Sequence, residues 1–199
     1  LGIDTPTTWD EVYAAAAKIQ EAGVVDYPLG ATMKSGWNLA QEFVNMYPGH
    51  GGAFFNDDNT TAVNSDAGLA ALDTMKKALD FTDPEVLVSD STYVQQQFQQ
   101  GKIAMANLWA SRAGAMNDEA ASQVVGKVVM AAAPKAVADG SPATTPWWDG
   151  IVIAQNISDE EADAAFRLAM DGLDVVIVWG ANEVATWLVA GYETTENVK

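Results

Sequence analysis

The chain has 199 residues, 49% hydrophobic and 19% charged, with no cysteine and one histidine. That composition fits a folded globular protein and excludes disulfides and thiolate metal sites. Acids outnumber bases 27 to 10, for a formal charge of −17; such a field repels nucleic-acid phosphates and anionic headgroups, so neither a nucleic-acid partner nor membrane insertion is expected.

Taken in order, Thr8-Trp9-Asp10-Glu11 after Pro6 reads as a capping box, and Trp9, Val12, Tyr13, Ala16 and Ile19 recur at helical spacing until Gly23. Tyr27 to Met33 is a candidate strand, and Asn38 to Met46 a helix closed by Pro48-Gly49. Ala53-Phe54-Phe55 and Thr61-Ala62-Val63 flank Asn56-Asp57-Asp58-Asn59, which predicts a hairpin. Ser65 caps a helix through about residue 81, with Leu69, Leu72, Met75 and Leu79 as its apolar stripe and Asp73 paired with Lys77.

Ser91 opens a short helix carrying Val94 and Phe98 and stopped by Gly101. Lys102 to Leu108 reads as a strand, 112–121 as a weak helix, and Val124 to Ala132 as a strand. Residues 134–146 are irregular, and Gly150 to Ala154 reads as a buried strand. Ser158-Asp159-Glu160-Glu161 is a second capping box, heading a helix with Ala162, Ala165, Phe166 and Ala169 inward. A further helix is expected near Glu183 to Leu188. The most apolar short run, Val175 to Trp179, is too short to span a bilayer. Alternating strands and helices predict an α/β layer architecture, with a central sheet near 28–33, 103–108 and 126–131 flanked by helices. The chain starts at Leu1 without a basic n-region or an apolar h-region, so it reads as a piece whose export signal lies elsewhere.

Catalytic and cofactor signatures are missing. There is no dinucleotide fingerprint, no P-loop and no nucleophile elbow. His50 sits in a Gly-rich loop and reads as a surface residue rather than a base or ligand. Asn56-Asp57-Asp58-Asn59 lacks the Gly and distal Glu of a calcium loop. No metal, cofactor or catalytic residue is expected, and 27 acids are too many to single out a glycosidase pair.

Tryptophan stands out, with seven copies. Trp9, Trp179 and Trp187 lie in helical patterns and read as core, whereas Trp37, Trp109, Trp147 and Trp148 fall in loops or at strand ends. An indole face matches the C–H face of a pyranose at low entropic cost. The neighbouring Asn38, Arg112 and Asp149 offer planar groups that hydrogen-bond hydroxyls. Adjacent strand residues point oppositely, so one of Trp147 and Trp148 faces a ligand; Trp148 is the preferred choice.

Four segments carry a resemblance. Thr5-Pro6-Thr7-Thr8-Trp9-Asp10-Glu11 resembles the helix start of family 1 extracellular solute-binding proteins, the group of maltose-binding protein. Gly51-Gly52-Ala53-Phe54-Phe55 with Val63-Asn64-Ser65 looks like its Gly-Gly-aromatic hairpin, and Phe98-Gln99-Gln100-Gly101-Lys102-Ile103-Ala104-Met105 is similar to its F-x-x-G-K-x-A-M motif. Gly150-Ile151-Val152-Ile153 through Ser158, Ala162 and Phe166 resembles its G-I-x-I segment.

The resemblance implies a type II periplasmic-binding-protein-like α/β lobe from a two-lobed protein that closes by hinge motion. Residues 1–148 would be the second lobe, and 149–199 the hinge crossing and part of the first. It further implies a non-enzymatic periplasmic or extracellular component, lipid-anchored or secreted. That component delivers a sugar or polyol to the membrane permease of an ABC transporter. The family's ligand loops correspond here to Trp37-Asn38, Trp109 with Arg112, and Trp147-Trp148-Asp149. Where many relatives carry small glycines before the G-I strand, this chain has two tryptophans, which implies a smaller sugar, a polyol or another stacking mode. A glycan-acting hydrolase and a structural domain that binds no ligand are the alternatives.

Overall fold

Helix α1 (Trp9–Glu21) starts where the capping box requires. Thr8 Oγ1 accepts from the Glu11 N–H at 3.2 Å, while Glu11 Oε2 accepts from the N–H groups of Thr8 and Thr7 at 3.2 and 2.7 Å. The computed structural model describes residues 1–145 and 151–171, and the chain divides into two compact units, Leu1–Pro146 and Trp147–Lys199.

In the first unit, α1 is followed by β1 (Leu29–Gly30), α2 (Trp37–Gly49), α3 (Asp66–Ala78), α4 (Ser91–Gln99) and β2 (Met105–Ala106). Strands β1 and β2 run parallel, with Leu29 opposite Met105 and Gly30 opposite Ala106. Helix α4 presses on this pair. A Cβ at Gly30 would lie 2.5 Å from Ile103 Cδ1 and 2.7 Å from Val94 Cγ1, so only glycine allows that approach. The core gathers Trp9, Val12 and Tyr13 of α1, Leu29 of β1, Met46 and Tyr47 of α2, and Met75 and Ala78 of α3. Two aromatic runs build it. Trp9, Tyr13 and Phe81 form one, and Phe43, Tyr47 and Phe54 the other. Trp9 is buried as core, although its Nε1 has no hydrogen-bond partner among the described residues.

The hairpin is a single antiparallel bridge, Phe55 to Thr61, closed by an Asn59 in the left-handed region at φ 63°. Tyr47 anchors it: its hydroxyl lies 2.7 Å from the carbonyls of both Ala53 and Ala62. His50 is half-buried rather than a free surface group. Thr74 Oγ1 donates to the Ala70 carbonyl, so His50 Nε2 donates to Thr74 Oγ1 at 2.9 Å, and burial lowers the imidazole pKa.

Several expectations require correction. The sheet has two short strands among the described residues, because residues 124–132 join no ladder. Their chain leads instead to Lys135, which pairs with the start of α1: Lys135 N–H donates to the Thr7 carbonyl at 2.9 Å and Trp9 N–H to the Lys135 carbonyl at 3.0 Å. On α3 the buried face is Gly68, Ala71, Met75 and Ala78, while Leu69, Leu72 and Leu79 are exposed. Small residues win there because α3 lies close against α2 and its own lead-in; a Cβ on Gly68 would meet the Val63 carbonyl at 2.2 Å. Lys77 pairs with Asp10 at 3.1 Å and lies over the Tyr13 ring, rather than pairing with Asp73. Helix α4 does open at Ser91, as expected, with Asp90 as its cap. Two 3-10 turns, Ala110–Arg112 and Gly114–Asn117, replace the helix expected over 112–121.

In the second unit, residues 151–154 are exposed and join no strand among the described residues, against the buried strand expected there. The second capping box forms, with Ser158 N–H donating to Glu161 Oε2 at 2.9 Å and Glu161 N–H to Ser158 Oγ at 3.2 Å. It starts helix α5 over residues 159–171. Ala162, Ala165 and Ala169 are half-buried, whereas Phe166 is 56% exposed. Gly150 and the helix expected near Glu183 to Leu188 lie outside the described residues.

Candidate functional site

Parallel strands send their carboxyl ends to one edge, where ligands of open α/β sheets bind. The chain leaving β1 runs through 31–36 to Trp37, and the chain leaving β2 reaches Trp109. Gly36, at φ 94°, turns the first of these loops into α2, a conformation that a residue with a Cβ rarely takes. Trp37 is thereby the first residue of α2 and is 59% exposed, with Asn38 half-buried beside it. Trp109 is half-buried and precedes the 3-10 turn that ends at Arg112.

Both loops fasten to the N-terminal half of α4 and the residues that cap it. Lys34 Nζ pairs with Asp90 Oδ2 at 3.1 Å, and the Lys34 N–H donates to the Ser89 carbonyl at 3.0 Å. Asp90 Oδ1 meanwhile accepts from the N–H groups of Thr92 and Tyr93. Its pKa is lowered, first by the Tyr93 N–H and then by Lys34. From the other loop, Arg112 Nη1 donates to Gln95 Oε1 at 2.7 Å and Nη2 to Ser91 Oγ at 3.0 Å.

The structure therefore places Trp37 and Asn38 at the start of α2, rather than in the loop expected for Trp37, and Trp109 and Arg112 at the turn after β2. Both pairs follow the carboxyl ends of the strands, and both are tied to the N-terminal part of α4. Trp147, Trp148 and Asp149 lie outside the described residues. Two features escaped the sequence reading, a polar cluster on α2 and a buried glutamate. Gln41 Nε2 donates to Asn45 Oδ1 and to Thr145 Oγ1, each at 3.1 Å, and Thr145 Oγ1 donates to Asn45 Oδ1 at 2.9 Å. This amide cluster follows Trp37 along α2 at helical spacing, and the i,i+4 pair Gln41–Asn45 was its available signal. The second is Glu42, buried in α2, whose Oε1 accepts from Thr32; no local pattern distinguishes it from a surface glutamate.

Among the described residues no group of His, Asp and Glu converges as a metal site. A cavity of about 290 Å³ lies elsewhere, alongside β1 and α4, lined by Val25, Tyr27, Val86, Tyr93, Gln97 and Ile103. None of the tryptophans lines it. Among the described residues the carboxyl edge is the better candidate, because it sets the exposed indole of Trp37 beside the amide of Asn38. No helix among the described residues is long and apolar enough to cross a membrane.

Comparison with known proteins identifies the family and the fold. The profile of the bacterial extracellular solute-binding protein family matches residues 1–171. Proteins of Brucella abortus (strain 2308) and Brucella suis biovar 1 (strain 1330), each named no more specifically than as a binding protein, are 27% identical over 158 residues. The match covers 78% of this chain and 37% of each relative, so the chain spans well under half of their length. An ABC transporter solute-binding protein from Agrobacterium radiobacter K84, in complex with ribitol, superposes with a TM-score of 0.72 at 26% identity, over 84% of this chain and 42% of that one. Maltose-bound MalE3 of T. maritima shares the fold, with a TM-score of 0.62 at 24% identity over 67% of this chain and 34% of its own. The fold is that of type II periplasmic binding proteins, of which this chain supplies part. The chain belongs to the bacterial extracellular solute-binding protein family.

Proposed function

We propose that this chain is part of the solute-binding component of an ABC transporter and that it takes up a sugar or, by preference, a polyol. In this reading Trp37 and Trp109 are stacking platforms, and Asn38 and Arg112 hydrogen-bond ligand hydroxyls. Trp147, Trp148 and Asp149 complete the set in a cleft between the two lobes of the full-length protein. The protein works outside the cytoplasm, lipid-anchored or secreted, passes its ligand to a membrane permease and catalyses no reaction.

The observation that carries the proposal is the arrangement of the two tryptophan loops at the carboxyl edge of β1 and β2. An amide-bearing surface beside indole suits an uncharged polyhydroxylated ligand. The ribitol complex of the Agrobacterium radiobacter relative supports the polyol over longer sugars.

A thermal-shift screen of the full-length protein against alditols, monosaccharides and maltose tests this. A ligand at 100 times its dissociation constant adds about 2.7 kcal/mol of stability. Stabilisation by alditols supports the reading, and stabilisation only by charged solutes such as amino acids contradicts it.

A further inference from the structure

We infer that the N-terminal half of α4, with its cap, is a positioning element shared by both tryptophan loops, with Asp90 holding the Trp37 loop and Gln95 the Trp109 loop; this rests on the ligand reading above. Each link is visible. Lys34, paired through its ammonium with Asp90, also accepts at its carbonyl from the Leu39 N–H at 3.1 Å, in the first turn of α2 that Trp37 begins. The exposed ion pair alone is weak, but the Lys34 N–H bond to Ser89, next to Asp90, reinforces it at 3.0 Å.

On the other side the half-buried guanidinium of Arg112 reaches three residues of α4: Gln95 at 2.7 Å, Ser91 at 3.0 Å and Thr92 at 3.3 Å. Its planar fork fixes direction as well as distance. The Arg112 N–H donates to the Trp109 carbonyl at 2.9 Å, so holding Arg112 holds the turn that Trp109 starts. The Gln95 amide is itself aimed, since its Nε2 donates to Gln99 Oε1 at 3.3 Å and Gln99 Nε2 donates to the Ala115 carbonyl at 2.8 Å. Two stacking faces serve one ligand only if their spacing is kept to about 0.5 Å, and α4 is the rigid body common to both.

The test combines hydrogen exchange with calorimetric titration of ribitol and D-mannitol in the full-length protein. Gln95→Ala should raise exchange at 109–113 and weaken polyol binding by about tenfold, the loss of one charge-assisted hydrogen bond. Gln95→Glu retains the acceptor and should restore both, which a merely destabilising effect would not. Asp90→Ala should raise exchange at 34–39 as well as at the start of α4, whereas Asp90→Asn should spare the cap. Unchanged exchange at both loops overturns the shared anchor, and so does wild-type polyol affinity in Gln95→Ala once its loop has loosened. If the wild type binds neither polyol, the ligand reading falls, and the exchange pattern still decides whether α4 anchors the loops.

Discussion

Glu42 Oε1 accepts twice from Thr32, from its N–H at 3.1 Å and from its hydroxyl at 2.5 Å. The two residues expose only 6% and 8% of their surfaces, so this bond fastens α2 to the chain leaving β1 inside the core. It fixes where the Trp37 loop begins and where its helix runs.

The Glu42 carboxyl also makes stability depend on pH. Burial raises its pKa above the ordinary 4.5, while the bonds from Thr32 oppose the shift. A raised native pKa means that the folded state binds the extra proton. Its contribution is complete below 4.5 and is lost as pH rises through the native value. Glu42→Gln keeps a carbonyl acceptor and removes the titration, so in urea denaturation between about pH 4 and pH 8 it should gain on the wild type as pH rises. A pH-independent difference would refute this. Glu42→Ala leaves two buried donors without an acceptor and should cost about 1–3 kcal/mol.

Tyr47→Phe removes the hydroxyl that meets the Ala53 and Ala62 carbonyls without altering ring packing. Chemical denaturation should show a loss of about 1 kcal/mol. The hairpin at 53–62 should exchange faster, while polyol affinity stays at the wild-type level. Equal loss of affinity would place the hairpin in the ligand path.

Trp37, 59% exposed, should be dispensable for folding. Trp37→Ala is expected to shift stability by no more than about 0.5 kcal/mol. Its effect on ligand affinity should be larger, about 1–3 kcal/mol for a stacking side chain of this size. A large drop in melting temperature with unchanged affinity would mark it as structural.

Much of the fold was legible in local patterns, because caps act over single turns. Thr8–Glu11 and Ser158–Glu161 both form capping boxes as their spacing requires. The aromatic hairpin and the strand after Gly101 also lie near their predicted places. What failed was decided by partners distant in sequence. Residues 124–132 have β-forming side chains, yet the chain after them spends its backbone bonds on the α1 start. Apolar spacing points to Leu69, Leu72, Met75 and Leu79 on α3, but helix proximity buries Gly68, Ala71 and Ala78 with Met75 and leaves the leucines outside. In the candidate site, Trp37 and Trp109 are proposals from residue type, whereas the Arg112–Gln95 bond joins side chains from separate elements that no spacing rule connects.

The reassigned α3 face gives its own prediction. Leu72→Lys, on the exposed side at 51%, should change stability by less than about 0.5 kcal/mol. Ala71→Leu, at a position with 0% exposure, should overpack the α2–α3 contact and cost about 1–3 kcal/mol. The reverse ranking in thermal denaturation would restore the leucine stripe.

The most direct test is calorimetric titration of the full-length protein with ribitol, D-mannitol and maltose, beside its Trp37→Ala and Trp109→Ala variants. Saturable binding of at least one of these ligands is expected, with recovery of that ligand chemically unchanged and weaker binding in both variants. Absence of binding to every polyhydroxylated ligand, or undiminished affinity in both variants, would contradict it.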